Sequence, residues 1–504
     1  MSLELHPEPP PPPRRRGRDG RWLLLLAGAG LVPGALGLPV VLLGLSAAAG
    51  ALLVRRHRRR ALAAPSPAPG ERIQLGRDGG GHSLDLDARQ LSAHGLIVGA
   101  SGAGKTTTLL TIACQQIIAG RGLVAIDLKG SPEFAAALAD AAARSGRALR
   151  VWSPDGPGTW NPLGHGNPTE LKDKLISTER FSEPHYQRAA ERYVQLALSV
   201  RAQVMPDTPP TLGEVVDLLA PSRLAALARR LDPPAAARVG GYLRELGPDQ
   251  VSAVRGLQSR LAVITESHTG RFFEPGPGAI DLLEALGGGD VVLFSLNASS
   301  YGQLSAQIGG LVLQDLVSAA GTRERAPAAR AASASVLVDE FSALGADHVM
   351  ALVARGRSAG VSVLMATQEL ADLDRVGRGF RDQVIGSTAL KIAHRQDIHA
   401  SAQAVAALSG TERVWERSYS AAVPGRARGR AGDGERTHDR LIERTRVDPS
   451  VIQSLRVGEA VVITKLPHSD TRLARIAPLS LPGPPGTKAT APQRPPDRGP
   501  SRGR

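Results

Sequence analysis

The chain has 504 residues, 42% of them hydrophobic, which excludes a wholly disordered protein and leaves room for several domains around a sizeable core. A formal charge of +14 suits a polyanionic partner or an anionic membrane face. Arginine carries the excess in a sequence rich in Ala, Gly and Pro, so charge alone does not single out nucleic acid. Cys114 is the single cysteine, which excludes an internal disulfide and suits a cytosolic body.

Residues 1–21 read as a basic, Pro-rich tail. From Trp22 to Val54 there is no ionisable side chain, while Arg14, Arg15, Arg16, Arg18 and Arg21 precede the run and Arg55, Arg56, Arg58, Arg59 and Arg60 come after it. As one straight helix the run would be about 50 Å long, against a hydrocarbon core of about 30 Å. Pro33-Gly34 and Gly37 to Pro39 break it near its middle, and arginines at both ends favour keeping both ends cytoplasmic. A short membrane hairpin is expected, with a re-entrant segment plus one helix over Leu38 to Val54 as the alternative. A cleaved signal peptide shares the basic start and Leu-rich core but not the second basic cluster or the cytosolic character of the downstream chain.

After a linker over residues 55–70, ERIQLGRDGGGHSLDLD alternates as a hairpin turning at Gly79 to Gly81. Strand and helix signals then alternate, the pattern of an α/β domain with a mainly parallel sheet. Strands are expected at Leu96 to Val98, Leu123 to Leu128, Val291 to Leu296, Val336 to Asp339, Val361 to Ala366 and Ala389 to Ala393. Helices are expected at Thr107 to Ala119, Gln303 to Ala319 and His348 to Arg355. Between residues 164 and 275 helical patterns replace strands: Tyr186, Ala190, Tyr193 and Ala197 share a face, and Thr211 with Glu214 forms a capping box. These residues read as an all-α insert in an α/β domain made of residues 71–163 and 276–480. Val423 to Arg440 reads as a mobile loop, Ala460 to Lys465 with Arg472 to Ile476 as a late hairpin closing the sheet, and residues 481–504 as a disordered tail.

The most specific motif is VGASGAGKTTT. Gly99, Gly104, Lys105 and Thr106 fill the G-x-x-x-x-G-K-[ST] pattern of a P-loop, after an apolar strand and before a helix. Backbone N–H groups from Gly99 through Ala100, Ser101, Gly102, Ala103, Gly104, Lys105, Thr106 and Thr107 would wrap a nucleotide's phosphates. Lys105 would neutralise the β/γ-phosphate oxygens, and Thr106 would hold Mg2+. In ASVLVDEF, Asp339 is the expected water-mediated Mg2+ ligand and Glu340 the candidate general base, since both stand directly after an apolar strand. Gln368 ends the next strand, where a polar side chain can sense a γ-phosphate. Arg357, in ARGRSAG before that strand, is positioned to reach a phosphate across a subunit boundary. Asp127 and Lys129, in AIDLKG, stand at a carboxyl edge without a role that chemistry fixes. His165, or His394 with His399, lacks the companions of a zinc site.

In this order VGASGAGKTTT, IDLKG, WNPL at Trp160 to Leu163, VLVDEF and ARGRSAGVSVLMATQELADL resemble the conjugative coupling-protein family of TraG/TraD type, within the HerA/FtsK group of P-loop DNA translocases. The resemblance spans residues 71 to 480. It implies a RecA-like fold with an all-α domain and a ring hexamer with ATP and Mg2+ at subunit interfaces. It also implies an arginine finger at Arg357 and a sensor at Gln368, DNA as substrate, and a relaxase and secretion-channel proteins as partners. Two features depart from the family: the apolar hairpin has almost no extracytoplasmic loop, and Ser387-Thr388 stand where relatives often carry asparagine, which leaves Arg395 unassigned. A protein-export P-loop motor and a nucleotide-gated membrane adaptor that recruits a relaxase are the competing functions. The strandedness of the DNA is open.

Overall fold

The computed structural model describes residues 72–179, 181, 183–276, 278–326, 333–420 and 436–478. The expected membrane segment, both tails and the linker lie outside the described residues. Among the described residues no helix is long and apolar enough to cross a membrane.

Along the chain, β1 (Ile73–Asp78) and β2 (Ser83–Leu86) precede α1 (Ala88–Ser92), β3 (Gly95–Val98), α2 (Lys105–Ile118), β4 (Gly122–Asp127), α3 (Pro132–Arg144) and β5 (Leu149–Trp152). Next come α4 (Pro168–Ser177), α5 (Pro184–Val204), α6 (Leu212–Leu218), α7 (Pro221–Ala228), α8 (Pro233–Arg244), α9 (Pro248–Thr265) and α10 (Leu282–Leu286). The chain then returns through β6 (Val291–Ser295), α11 (Ala298–Arg325), β7 (Ala334–Asp339), α12 (Ala346–Gly356), β8 (Val361–Thr367), α13 (Leu370–Val376), α14 (Phe380–Ser387) and β9 (Leu390–Ala393). Its last elements are α15 (His399–Leu408), β10 (Thr411–Ser420), β11 (Arg436–Thr445), α16 (Pro449–Gln453), β12 (Glu459–Thr464) and β13 (Asp470–Ile476).

The main sheet has eleven strands in the order β2-β1-β13-β12-β9-β3-β8-β7-β4-β6-β5. From β9 to β5 every neighbouring pair is parallel, and from β12 outward every pair is antiparallel. The early and late hairpins pair with each other through β1 and β13, so the late one joins the early one to the parallel strands. Alternating strand residues serve two cores. Leu96, Val98, Val336, Val338, Val363 and Met365 pack with the helices between β5 and β6 and with α11 and α12. Ile97, Leu123, Ala125, Leu337, Leu364 and Ala366 pack against α2 and α3. A strand buried on both faces has no polar alternation to show, which is why the parallel strands read as continuous apolar runs.

Among the described residues between β5 and the 3-10 turn Gly270–Phe273 there are helices and no strand, with an isolated parallel bridge from Trp160 to Ile280. The Thr211 side chain accepts from the Glu214 N–H at 3.2 Å while Glu214 accepts from the Thr211 N–H at 3.1 Å, which caps α6. At the root of this segment, Lys174 Nζ lies 2.7 Å from Asp315 Oδ1 on α11, and Trp160 Nε1 donates to Asp315 Oδ2 at 2.9 Å. All three side chains are buried, and the lysine also donates to the carbonyls of Pro162 and His165.

The structure corrects the last five residues of the segment Val423 to Arg440 that was read as a loop, while residues 423–435 lie outside the described residues. Residues 436–440 belong to β11, which pairs with β10 over ten register partners from Thr411↔Thr445 to Ser420↔Arg436 in a separate two-stranded ribbon. Leu149–Trp152, too short to stand out in the sequence, is the edge strand beside β6. The helix expected at Gln303 to Ala319 runs from Ala298 to Arg325, with a break at Gly302.

Candidate nucleotide site

Register places the site. Val98 pairs with Thr367 on one side and Ala393 on the other, Asp339 pairs with Ala366, and Asp127 pairs with Asp339. Gly99, Gln368, His394 and Glu340 are therefore each the first residue beyond a strand at one carboxyl edge, the place where open α/β sheets hold ligands.

The P-loop is braced from three directions. Gly99 N–H donates to the Gln368 carbonyl at 3.0 Å, Ala100 N–H to the Arg395 carbonyl at 2.8 Å, and Gly458 N–H to the Ala103 carbonyl at 3.1 Å. Gly104, at φ +118, is the cap of α2, and its approach to Gly458 and His394 leaves no room for a side chain without displacement. The first N–H groups of α2 therefore meet no side-chain cap and remain for an anion. Lys105 is buried and donates to the loop carbonyls of Gly99 and Ala100. Burial pushes its pKa down, and Lys129 adds to this while Glu340, Asp339 and Glu369 oppose it. Thr106 is the second residue of α2 and is half-buried.

Asp339 is 1% exposed; its Oδ2 accepts from Lys129 Nζ at 3.2 Å, and its Oδ1 is buried with no hydrogen-bond partner. Leaving a carboxylate oxygen dry and unpaired costs about 1 to 3 kcal/mol or more. The orphaned oxygen, with the Thr106 hydroxyl position at the start of α2, is a donor set that fits a hydrated Mg2+. Glu340 sits at φ 60, ψ 42, a left-handed conformation that a non-glycine residue adopts at a cost of about 1 to 2 kcal/mol. Its Oε2 accepts from Gln368 Nε2 at 3.2 Å and lies 3.5 Å from Lys129 Nζ. Glu340 and Gln368 also line a cleft of about 890 Å³ whose far wall includes Thr178, Glu179 and Arg260 of the helical segment.

Among the residues singled out in the sequence, Asp339, Glu340 and Gln368 are thus brought together beside the P-loop. Arg357 is not. It is exposed at the end of α12, before β8, so the seven residues of that strand, about 23 Å, separate it from Gln368. The Arg395 side chain bonds Asp397 at 2.9 Å, and its carbonyl holds the P-loop.

Three residues join the site that sequence reasoning left without a role. Asp127 accepts the N–H groups of Lys129 and Ser131 at 2.8 and 2.7 Å, and burial raises its pKa. Lys129 contacts both acids, Asp339 and Glu340. His394, fully buried beneath the P-loop, donates from Nδ1 to the Glu459 carbonyl at 2.9 Å and accepts at Nε2 from the Thr108 hydroxyl at 2.8 Å. The signal for all three was a place at or just beyond the end of an apolar strand, which marks the edge but not the bonds they make there.

A P-loop, a buried aspartate and a hydrogen-bonded glutamate at neighbouring strand ends agree with a RecA-like P-loop ATPase. Residues 334–456 match the family model of the TraM recognition site of TraD and TraG, and residues 57–135 match that of the FtsK/SpoIIIE family. These two matched segments are similar to the TraG/TraD and FtsK/SpoIIIE families and support a P-loop ATPase. No curated protein sequence matches it. Among solved structures it is similar to the bacterial conjugative coupling protein TrwBdeltaN70, with 15% identity, a TM-score of 0.57, and coverage of 80% of this chain and 88% of that one. The plasmid coupling protein TrwB in complex with ADP and Mg2+ is similar at 15% identity and TM-score 0.56, over 82% of this chain and 96% of that one. VirB4 of Thermoanaerobacter pseudethanolicus is similar at 14% identity and TM-score 0.52, over 82% and 98%. These likenesses concern the fold.

Proposed function

We propose that the protein is a membrane-anchored, ATP-driven DNA translocase that couples DNA to conjugative transfer, with its ATPase body in the cytoplasm and DNA, a relaxase and secretion-channel proteins as partners. The observation that carries the reading is the division of the site: Asp339, Glu340 and Gln368 gather at one sheet edge, and Arg357 stands at the other, available to the P-loop of a second copy. A head-to-tail ring, proposed as a homo-hexamer, supplies that contact at every interface. Residues 71–163 and 276–480 are proposed as the RecA-like domain, 164–275 as its all-α insert, and Trp22 to Val54 as the anchor.

In this reading the P-loop N–H groups from Gly99 to Thr107 and Lys105 bind the phosphates. Thr106 and Asp339 hold Mg2+, which when bound would neutralise charge developing on the transferred phosphoryl group. Glu340 takes a proton from the attacking water, Gln368 orients that glutamate, and Arg357 of a neighbouring copy meets the terminal phosphate.

The full-length protein is expected to hydrolyse ATP faster when DNA is added, by about tenfold or more, and Lys105→Ala or Glu340→Gln is expected to lower turnover by about a hundredfold or more. Turnover indifferent to single- and double-stranded DNA but raised by a partner protein would replace the DNA motor with a protein-export motor.

A further inference from the structure

The loop after β4 is fixed on three sides. Asp127 clamps the backbone N–H groups of Lys129 and Ser131, Ala298 N–H donates to the Leu128 carbonyl at 2.7 Å, and Gly130, at φ +70, would bring a Cβ within 3.1 Å of Asn297. This geometry sends the Lys129 ammonium across to β7, 3.2 Å from Asp339 Oδ2 and 3.5 Å from Glu340 Oε2. Asp127 and Asp339 are register partners, with Glu340 next in the chain, so three carboxylates share one edge. Of the two lysines that offset them, Lys105 donates to P-loop carbonyls, and among the described residues Lys129 is the lysine whose ammonium lies within 4 Å of Asp339 and Glu340 oxygens. The two oxygens of Asp339 are consequently unlike: one is held by Lys129, and the other is buried and unpartnered.

We propose that Lys129 is a positioning residue of the Mg2+–nucleotide site: by holding Asp339 Oδ2 and Glu340 Oε2 it turns Asp339 Oδ1 toward the metal's hydration shell and keeps Glu340 against Gln368. The inference rests on the ATPase reading and adds to it a residue that touches no phosphate. Partners behind a metal ligand that are lost commonly cost about 10- to 100-fold in metal affinity or activity.

The test uses purified full-length protein and a fluorescent ADP analogue, titrated with Mg2+ and separately bound in EDTA. For Lys129→Gln the Mg2+ concentration at half-saturation is expected to rise about tenfold, with affinity in EDTA within about twofold of the wild type. Lys129→Arg, which keeps the charge, is expected to recover most of the loss. An unchanged Mg2+ requirement overturns the proposal, as does a lowered one, which would make the lysine a competitor for the metal. Equal impairment in Lys129→Arg and Lys129→Gln overturns it as well, since charge would then be irrelevant. If Lys129→Gln melts markedly lower in EDTA, Lys129→Met, which preserves the apolar stem, carries the titration under the same criteria. Wild-type protein that binds no analogue at all overturns the ATPase reading itself, and the inference with it.

Discussion

His394 has no exposed surface, and burial pushes its pKa down to about 4. Its neutral ring spans from the carbonyl of Glu459 to the hydroxyl of Thr108, so it ties the first residue of β12 to α2 just beneath the P-loop. The sign of the pH effect comes from proton counting. Between pH 6.5 and 4 the unfolded chain binds a proton that the folded chain refuses, so stability is full above pH 6.5 and falls as the pH drops toward 4. The shift corresponds to on the order of 3 kcal/mol. His394→Gln is expected to flatten that part of the profile, read as denaturation midpoints from pH 7 to 4.5, while costing some stability at pH 7 through the replaced hydrogen bonds. An acid limb as steep in the variant as in the wild type would contradict the assignment. At this scale the site was legible where a residue directly succeeds an apolar strand, as with Asp339, Glu340 and Gln368. What was opaque is what His394 and Lys129 bond to: their partners are 286 and 210 residues away in the chain, and no local pattern encodes contacts that only the fold creates.

At the scale of elements, the helices between β5 and β6 are tied to the sheet domain by a buried polar knot. Asp315 receives both Lys174 and the Trp160 indole, and with both carboxylate oxygens taken the knot is satisfied despite its burial. Asp315→Ala would leave an uncompensated ammonium in the interior and is expected to cost about 3 to 5 kcal/mol, measured as a shift of the urea midpoint. Combining Asp315→Leu with Lys174→Met should cost much less, because it removes both charges together. A double variant as unstable as Asp315→Ala would mean that volume, not charge, dominates there. Periodicity made the parallel strands and the α6 cap readable, since apolar runs and a Thr-x-x-Glu box are local signals. The β10–β11 ribbon escaped it because charge is interleaved with its apolar residues: Arg417 pairs with Asp439 and Arg444 with Glu412 across the strands, and Trp415 faces Leu441 without burying either. A ribbon whose side chains are mostly solvated has no core face to print on its sequence.

At the scale of the whole molecule, one strand's length decides what the protein needs. The acids lie at the carboxyl end of β7 and Arg357 lies before the first residue of β8, so a single copy cannot bring its own arginine to its own Glu340 without unfolding β8. Arg357→Ala is therefore expected to retain nucleotide binding and to lose turnover by about a thousandfold, the range of arginine fingers. The decisive measurement mixes two inactive proteins. Arg357→Ala keeps Glu340, and Glu340→Gln keeps Arg357, so each alone has no complete interface. In a random 1:1 ring about a quarter of the interfaces pair an intact acid with an intact arginine from the next copy, and DNA-stimulated turnover should reappear at that order relative to the wild type. An arginine acting within its own chain, or not acting at all, leaves the mixture at the mean of its two parents. Recovery in the mixture together with loss in each parent would require that the two halves of the site come from different copies.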